Sequence, residues 1–338
     1  MTSNRAAFLE QIVASGPIGF GASTLGNLYR QIDDADARTT VDAAWNEGLR
    51  YFDTAPFYGF GLSERRLGDA LRDRPRDAYI LSTKVGRLLV PGDVAEGRFG
   101  FHSPMPFDPV YDYSYDGVMR SVEASLHRLG LSRIDILYMH DLGRMTHGDH
   151  HDHHFGQALS GGFRAMQTLR DQGVVSAIGL GVNETEICAE SLEHVDLDLL
   201  MIAGRYTLLN PDGAAFFDLC RRRGVGVVAA GVFNSGILAT GTSGDGTLYY
   251  DYEPAPDVIV RKVAAIEACC ARYGVPLPAA ALQFVQAHPA VTLAVVGTGS
   301  ARRIAGSVAL ARLSIPPAFW DALREGRLLD KAPFAAST

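Results

Sequence analysis

At 338 residues, with 47% hydrophobic and 20% charged side chains, the chain can build one large α/β domain or two ordinary ones around a sizeable core. Its formal charge of −7 argues against nucleic acid and anionic membrane as partners, because both recruit basic faces. No apolar run approaches the roughly 20 residues of a membrane span, no secretory leader opens the chain, and the four cysteines (Cys188, Cys220, Cys269, Cys270) lack CxxC spacing, so reduced thiols in a cytoplasmic protein are expected.

One rhythm recurs along the sequence: a short apolar run, a loop, and an amphipathic helix that ends near glycine. Residues 17–20 are the first run, and Asp33 or Asp34 then caps a helix through Trp45 that stops at Gly48. Leu49, Tyr51 and Phe52 form the second run. Asp53 follows it directly, Tyr58 stands on the loop beyond between Phe57 and Gly59, and Ser63 is placed to cap a helix carrying Leu67 and Leu71. Residues 78–84 are the third run, followed by an insert rich in Pro, Gly and aromatic residues over 90–113. Ser114 caps the next helix, in which Val118, Val122, Leu126 and Leu129 recur at helical spacing before Gly130. Residues 134–140 are the fourth run, 177–182 the fifth, 197–204 the sixth, 225–230 the seventh and 293–297 the eighth. Helices are expected over 163–169, 214–223, 257–273 and 279–287, and from Ser300 onward.

Eight short apolar strands alternating with helices, undivided by any linker, predict a parallel (β/α)8 TIM barrel occupying residues 1–338 as a single domain. A doubly wound open sheet is the competing arrangement, and the lack of GxGxxG after the first strand counts against it.

In a barrel of this kind the chemistry lies at the C-terminal ends of the strands. Asp53 ends the second run, Lys84 the third and His140 the fourth, with Asn183 just beyond the fifth and Tyr58 on the loop above. A phenol with a reference pKa of about 10 is a poor acid or base near neutrality. A neighbouring ammonium favours its phenolate, and a carboxylate on the far side keeps that ammonium charged and oriented. Asp53, Lys84 and Tyr58 therefore make a plausible proton chain, and a neutral His140 can orient the substrate oxygen. Each residue alone also has a plain role: Asp53 as a turn cap, Tyr58 as a loop plug, Lys84 as a solvated cation, His140 as a packed ring.

The segments YFDTAPFYGFGLSERRLG, STKVG, LGLSRIDILYMHD, AIGLGVNE and VVGTGS occur in the order found in the aldo-keto reductases, and the chain resembles that family from about residue 17 to about residue 311. The resemblance implies a TIM barrel whose catalytic tetrad is Asp53, Tyr58, Lys84 and His140, with a nicotinamide dinucleotide lying extended across the rim. It implies cofactor contacts from Gly21, Ala22, Asn183, Val232, Phe233, Asn234, Gly236, Gly297, Thr298, Ser300 and Arg303. The substrate pocket is expected to draw on the 90–113 insert, with Phe20, Phe57 and Phe101 as apolar wall candidates and plain packing as their other reading. Ala203 stands where the family often has an amide beside the nicotinamide, and Ala230 where it often has a stacking aromatic. The lysine that many NADP-dependent members carry near Ser300 is missing, so NAD is the expected cofactor and NADP the alternative, with Arg302 or Arg303 as a substitute phosphate partner.

These departures, together with YDYSYDG and MHDLGRMTHG, resemble the branch that holds L-fucose, D-threo-aldose and D-arabinose 1-dehydrogenases and a pyridoxal 4-dehydrogenase. The implied reaction removes hydride from the carbon of a cyclic hemiacetal and leaves a lactone, with a sugar or pyridoxal as the small-molecule substrate. General aldehyde or ketone reduction, and non-catalytic cofactor binding, are the other classes considered. His147, His150, His151, His153 and His154 read as a solvated loop; no metal is expected, since Lys84 would put a cation where a metal would sit. Oligomeric state is not legible.

Overall fold

The computed structural model describes residues 2–93, 97–243 and 246–329. Residues 94–96 of the insert, and the end of the expected domain beyond residue 329, lie outside the described residues. Eight parallel strands close into a barrel: β1 Gly19–Gly21, β2 Tyr51–Asp53, β3 Ile80–Val85, β4 Ile136–His140, β5 Ala177–Val182, β6 Leu199–Ala203, β7 Gly226–Ala230 and β8 Val291–Gly297. Each pairs with its sequence neighbours and β8 returns to β1, so the barrel itself has no open strand edge.

Two layers of core follow from the period of two along each strand. Outward residues such as Phe20, Phe52, Leu81 and Leu137 pack under the helices. Inward residues Tyr51, Ile80, Ile136, Tyr138, Leu199, Met201, Val228, Leu293 and Val295 fill the barrel, and Ile12 with Phe8 and Leu9 of the N-terminal helix Thr2–Ala14 closes its lower end. The interior is a packed core, and open chemistry is confined to the top of the barrel.

The local signals hold, with one alternative resolved and two corrections. Asp33, not Asp34, caps the helix Asp34–Asn46 by accepting from the Asp36 amide at 2.7 Å. Ser63 does not cap: it lies inside the helix Leu62–Leu71, whose start is Gly61 in left-handed conformation, and its hydroxyl donates to the Ala22 carbonyl at 2.6 Å. The histidine-rich stretch is not a solvated loop. It forms helices Arg144–His147 and His151–Gln157, and His147 and His151 are buried. Ser114 caps Tyr115–Leu129 as expected, through the Gly117 amide at 3.0 Å, and that helix ends on left-handed Gly130.

The insert after β3 is a hairpin whose arms, Arg87–Pro91 and Phe107–Tyr111, pair antiparallel over five residue pairs. Its tip folds back on the barrel mouth, where Phe101 bridges Leu28 and the Met105 amide donates to the Gly59 carbonyl at 3.1 Å.

Candidate active site

Register decides which side chains meet. Gly21 is level with Asp53 and with Gly297, His140 with Gly181, Gly181 with Met201, and Ala203 with Ala230. Residues in register share a face, so Asp53, Lys84 and His140 extend the inward series of Tyr51, Ser82 and Tyr138 to the top of β2, β3 and β4. On the remaining strands the corresponding top positions are Gly181, Ala203, Ala230, Gly297 and Gly21. One side of the rim, three strands wide, therefore carries the reactive groups, and the other five strands end in nothing larger than a methyl group.

On the reactive side, the Lys84 ammonium donates to Asp53 Oδ2 at 2.7 Å and to the Thr54 carbonyl at 2.9 Å, while Ser82 donates to Asp53 Oδ1 at 2.7 Å. Both members of the ion pair are almost fully buried. Burial pushes the Asp53 carboxyl up, and Lys84 and Ser82 pull it back. Burial works against the Lys84 charge, yet Asp53 and Tyr58 outweigh it and raise the ammonium above its ordinary value. Lys84 Nζ lies 4.7 Å from the centre of the Tyr58 ring. Burial raises the Tyr58 phenol; the Lys84 charge opposes this, while Asp53 and Asp141 reinforce it. Tyr58 is thus a neutral phenol near pH 7 whose ionisation Lys84 makes easier.

The His140 ring stands 6.1 Å from that of Tyr58, nearly perpendicular. Burial holds it well below the usual imidazole range, with Arg87 and Lys84 adding like-charge repulsion. It is a neutral ring, and its Nδ1 has no partner.

The loop bearing Tyr58 is locked by close backbone contact. A Cβ on Gly26 would come within 2.5 Å of the Tyr58 backbone, and one on Gly59, at φ +63°, within 2.5 Å of the Gly26 carbonyl. A second anchor lies behind it, where fully buried Glu64 accepts from Thr83 at 2.8 Å and from Arg128 at 2.6 Å, tying helix Leu62–Leu71 to β3 beside Lys84.

The expected apolar wall separates into parts. Phe57, half-buried, lies 6.2 Å from the His140 ring and borders the site. Phe101 packs behind it at 5.4 Å and is buried, so it supports Phe57, and exposed Phe99 flanks it at 5.5 Å. Phe20 does not join them, because its β1 position alternates outward and it packs on Phe52 under the helices.

The cofactor candidates fall on the side that ends in Gly and Ala. Residues 21–22, 232–236 and 297–303 extend from β1, β7 and β8, which are adjacent in the barrel, and Asn183 follows β5 farther round the rim. Asn183 and Arg205 line a cavity of about 380 Å³ with Glu184, Thr185 and His151. Gly231, Asn234, Ser235 and Gly236 all have positive φ, and the buried Asn234 side-chain oxygen has no partner. Among the described residues the Phe233 amide has no backbone acceptor. The helix Ala301–Arg312 begins at Ser300 with no side-chain cap; the Arg303 amide donates to the Ser300 carbonyl at 3.0 Å, which leaves the Ala301 and Arg302 amides for an anion. Ala22 is held away from any ligand: it is fully buried, donates to the Asp53 carbonyl at 2.8 Å and accepts from Ser63. Unpartnered amides, an orphaned amide oxygen and a rim ending in Gly and Ala fit an extended dinucleotide.

Composition-level reading passes over several residues here. Ser82 was detectable, since it sits two before Lys84 on one strand and so on one face. Glu64, Arg87, Asp141 and Arg30, whose guanidinium reaches the Gly299 carbonyl at 3.4 Å, carry no pattern of their own. Among the described residues no group of three or more His, Cys, Asp or Glu is arranged to hold a metal ion, and no helix is long and apolar enough to cross a membrane.

The profile of the Aldo/keto reductase family matches residues 17–326. The chain is 43% identical to a pyridoxal 4-dehydrogenase of Microbacterium luteolum, over 92% of this chain and 94% of that protein. It is 39% identical to a D-threo-aldose 1-dehydrogenase of a Pseudomonas species, over 97% and 99% respectively. Among solved structures, a glycerol dehydrogenase of Gluconobacter oxydans superposes with a TM-score of 0.72 at 21% identity, covering 95% of this chain and 94% of that one, a likeness of fold.

Proposed function

The chain belongs to the aldo/keto reductase family and is an oxidoreductase; from that premise we propose that it oxidises the hemiacetal carbon of a cyclic aldose to a lactone, with NAD as the hydride acceptor. The observation that carries the reading is the divided rim: Asp53, Lys84, Tyr58 and His140 on one side, Gly and Ala on the other.

The bound nicotinamide supplies the hydride acceptor. The protein manages the proton and the substrate oxygen. The hemiacetal hydroxyl sits between Tyr58 and His140; neutral His140 orients it, and Tyr58 takes its proton as the carbon gives up hydride. Lys84 stabilises the phenolate that accepts this proton, and Asp53, held by Ser82, fixes Lys84 in place. Phe57 offers an apolar face to the substrate ring. NAD over NADP rests on the missing lysine near Ser300. The four free cysteines suit a reducing cytoplasm, and one catalytic domain accounts for the chain.

Pyridoxal is the second reading. Its cyclic hemiacetal yields a lactone by the same steps, and the aromatic wall of Phe57 and Phe99 suits a planar ring. The deciding experiment follows reduced nicotinamide by absorbance with L-fucose, D-arabinose, L-galactose and pyridoxal, each with NAD and with NADP. Turnover of an aldose with NAD supports the proposal. Turnover of pyridoxal alone moves the chain to the second reading, and a preference for NADP overturns the cofactor assignment.

A further inference from the structure

Asp141 follows His140 directly, yet it takes no part in the proton chain of Asp53, Lys84 and Tyr58. It holds a left-handed backbone conformation, φ +46°, which a residue with a side chain adopts at a cost. That conformation is imposed from three sides. The Asp141 amide donates to the Gly181 carbonyl at 3.0 Å. The Tyr113 hydroxyl reaches the carbonyls of His140 and Asp141 at 2.8 and 3.2 Å. Arg87 donates to Asp141 Oδ2, while its guanidinium is clamped 3.8 Å from the centre of the Phe57 ring and 5.0 Å from that of Tyr111.

The result is a carboxylate at the substrate end of the site. Oδ2 stands 3.5 Å from His140 Nε2, and the Asp141 charge is felt by the Tyr58 phenol. Among the described residues Oδ1 has no donor, and Arg87 Nε is buried without an acceptor. Arg87 is buried with its Nε unpaired, whereas the Asp141 side chain is 18% exposed, so the pair is only partly desolvated, contributes little net stability, and leaves one carboxylate oxygen uncommitted to the protein. Holding the fold together is therefore a poor account of it. A strained, oriented acceptor beside the group that binds the reacting oxygen is what recognition of a second hydroxyl requires.

We propose that Asp141, oriented by Arg87, accepts a hydrogen bond from the substrate hydroxyl on the carbon next to the one oxidised, and so selects aldoses over simple alcohols and deoxy analogues. The oxygens of a vicinal diol are spaced much like a hydrogen-bonded pair. One can rest on His140 and its neighbour on the adjacent carboxylate. This rests on the aldose reading above and names the substrate feature read at that site.

The test uses D-arabinose with 2-deoxy-D-ribose, which differ only in the C2 hydroxyl, and L-fucose with its 2-deoxy analogue. Steady-state kcat/KM is measured for the wild type, Asp141→Asn and Asp141→Ala, with cofactor binding and thermal unfolding as checks of folding. Wild type is expected to prefer the hydroxylated sugar by about 10- to 100-fold, the value of one hydrogen bond to a charged group. Asp141→Ala is expected to bring the ratio close to one by losing more rate on the hydroxylated sugar than on the deoxy one; the accompanying change at the Tyr58 phenol acts on both sugars and cancels in the ratio. Asp141→Asn, which keeps the shape, is expected to fall between and carries the test if the alanine variant does not fold. A ratio unchanged in the variants, or both sugars slowed alike, overturns the role of Asp141 and leaves the reaction standing. Turnover confined to pyridoxal overturns the C2 assignment, and no turnover of any of these compounds overturns the reaction as well.

Discussion

Replacing Lys84 by Met tests the core of the site, because it separates the cost of burial from the benefit of pairing. Lys84 and Asp53 are 2% and 4% exposed, and their charges meet at 2.7 Å. Removing the ammonium leaves the carboxylate among Ser82, Tyr51 and Tyr138 with one hydroxyl donor, an uncompensated buried charge. Losing one partner of such a pair costs about 3–5 kcal/mol, a large part of the about 5–15 kcal/mol that holds a typical domain. The double variant Asp53→Asn/Lys84→Met has no stranded charge and should recover more than half of that loss. Both should turn over at least about 100-fold more slowly, since neither stabilises the Tyr58 phenolate. Urea unfolding of the three proteins at neutral pH reads the first effect, and initial rates read the second. A single variant within about 1 kcal/mol of wild type, or a double variant no more stable than the single, refutes the electrostatic account.

Other outcomes follow from the same geometry. Tyr58→Phe should lose about 100- to 10,000-fold or more in turnover while cofactor binding, followed by fluorescence quenching, is retained; near-normal turnover removes Tyr58 from its role. Since the phenol is raised by burial, the oxidation rate should climb with pH through neutrality and the reverse reduction should fall, and a flat profile argues for another base. Gly59→Ala places a Cβ 2.5 Å from the Gly26 carbonyl at positive φ, so it should cost about 1–3 kcal/mol and slow turnover by displacing Tyr58, as thermal unfolding and rates would show. Burial and neighbouring cations lower His147 to about 4, so the unfolded chain, with an imidazole near 6.5, binds its proton first on acidification. Stability should therefore decline as pH falls from about 6.5 towards 4, and His147→Asn should flatten that slope in urea titrations.

How much of this was readable beforehand differs from residue to residue. Asp53, Lys84 and His140 were legible because each ends an apolar run, and alternation along a strand places the last inward residue at the rim without further information. The helix stops at Gly48 and Gly130, and the Ser114 cap, are local chemistry of the same kind. Ser63 misled because a serine two residues beyond a loop glycine looks like a cap from sequence, whereas the hydroxyl is taken by the Ala22 carbonyl from another part of the chain. Phe20 misled because nothing local says which face of a three-residue strand turns inward. The histidine-rich stretch looked solvated by composition, but Tyr111 and Tyr113 from the insert cover His147 and His154.

Sequence alone determined the number and order of strands, the barrel they make, and the reactive groups Asp53, Lys84 and His140 at the ends of three of them, because periodicity and chain connectivity are local properties. Tertiary structure alone decided that five strand ends carrying only Gly or Ala form one continuous side of the rim, that Gly26 and Gly59 lock the Tyr58 loop, and that Arg87 holds Asp141 beside His140. Those relations join residues tens to hundreds of positions apart, and they exist only once the barrel has closed and its register has set which side chains share a level.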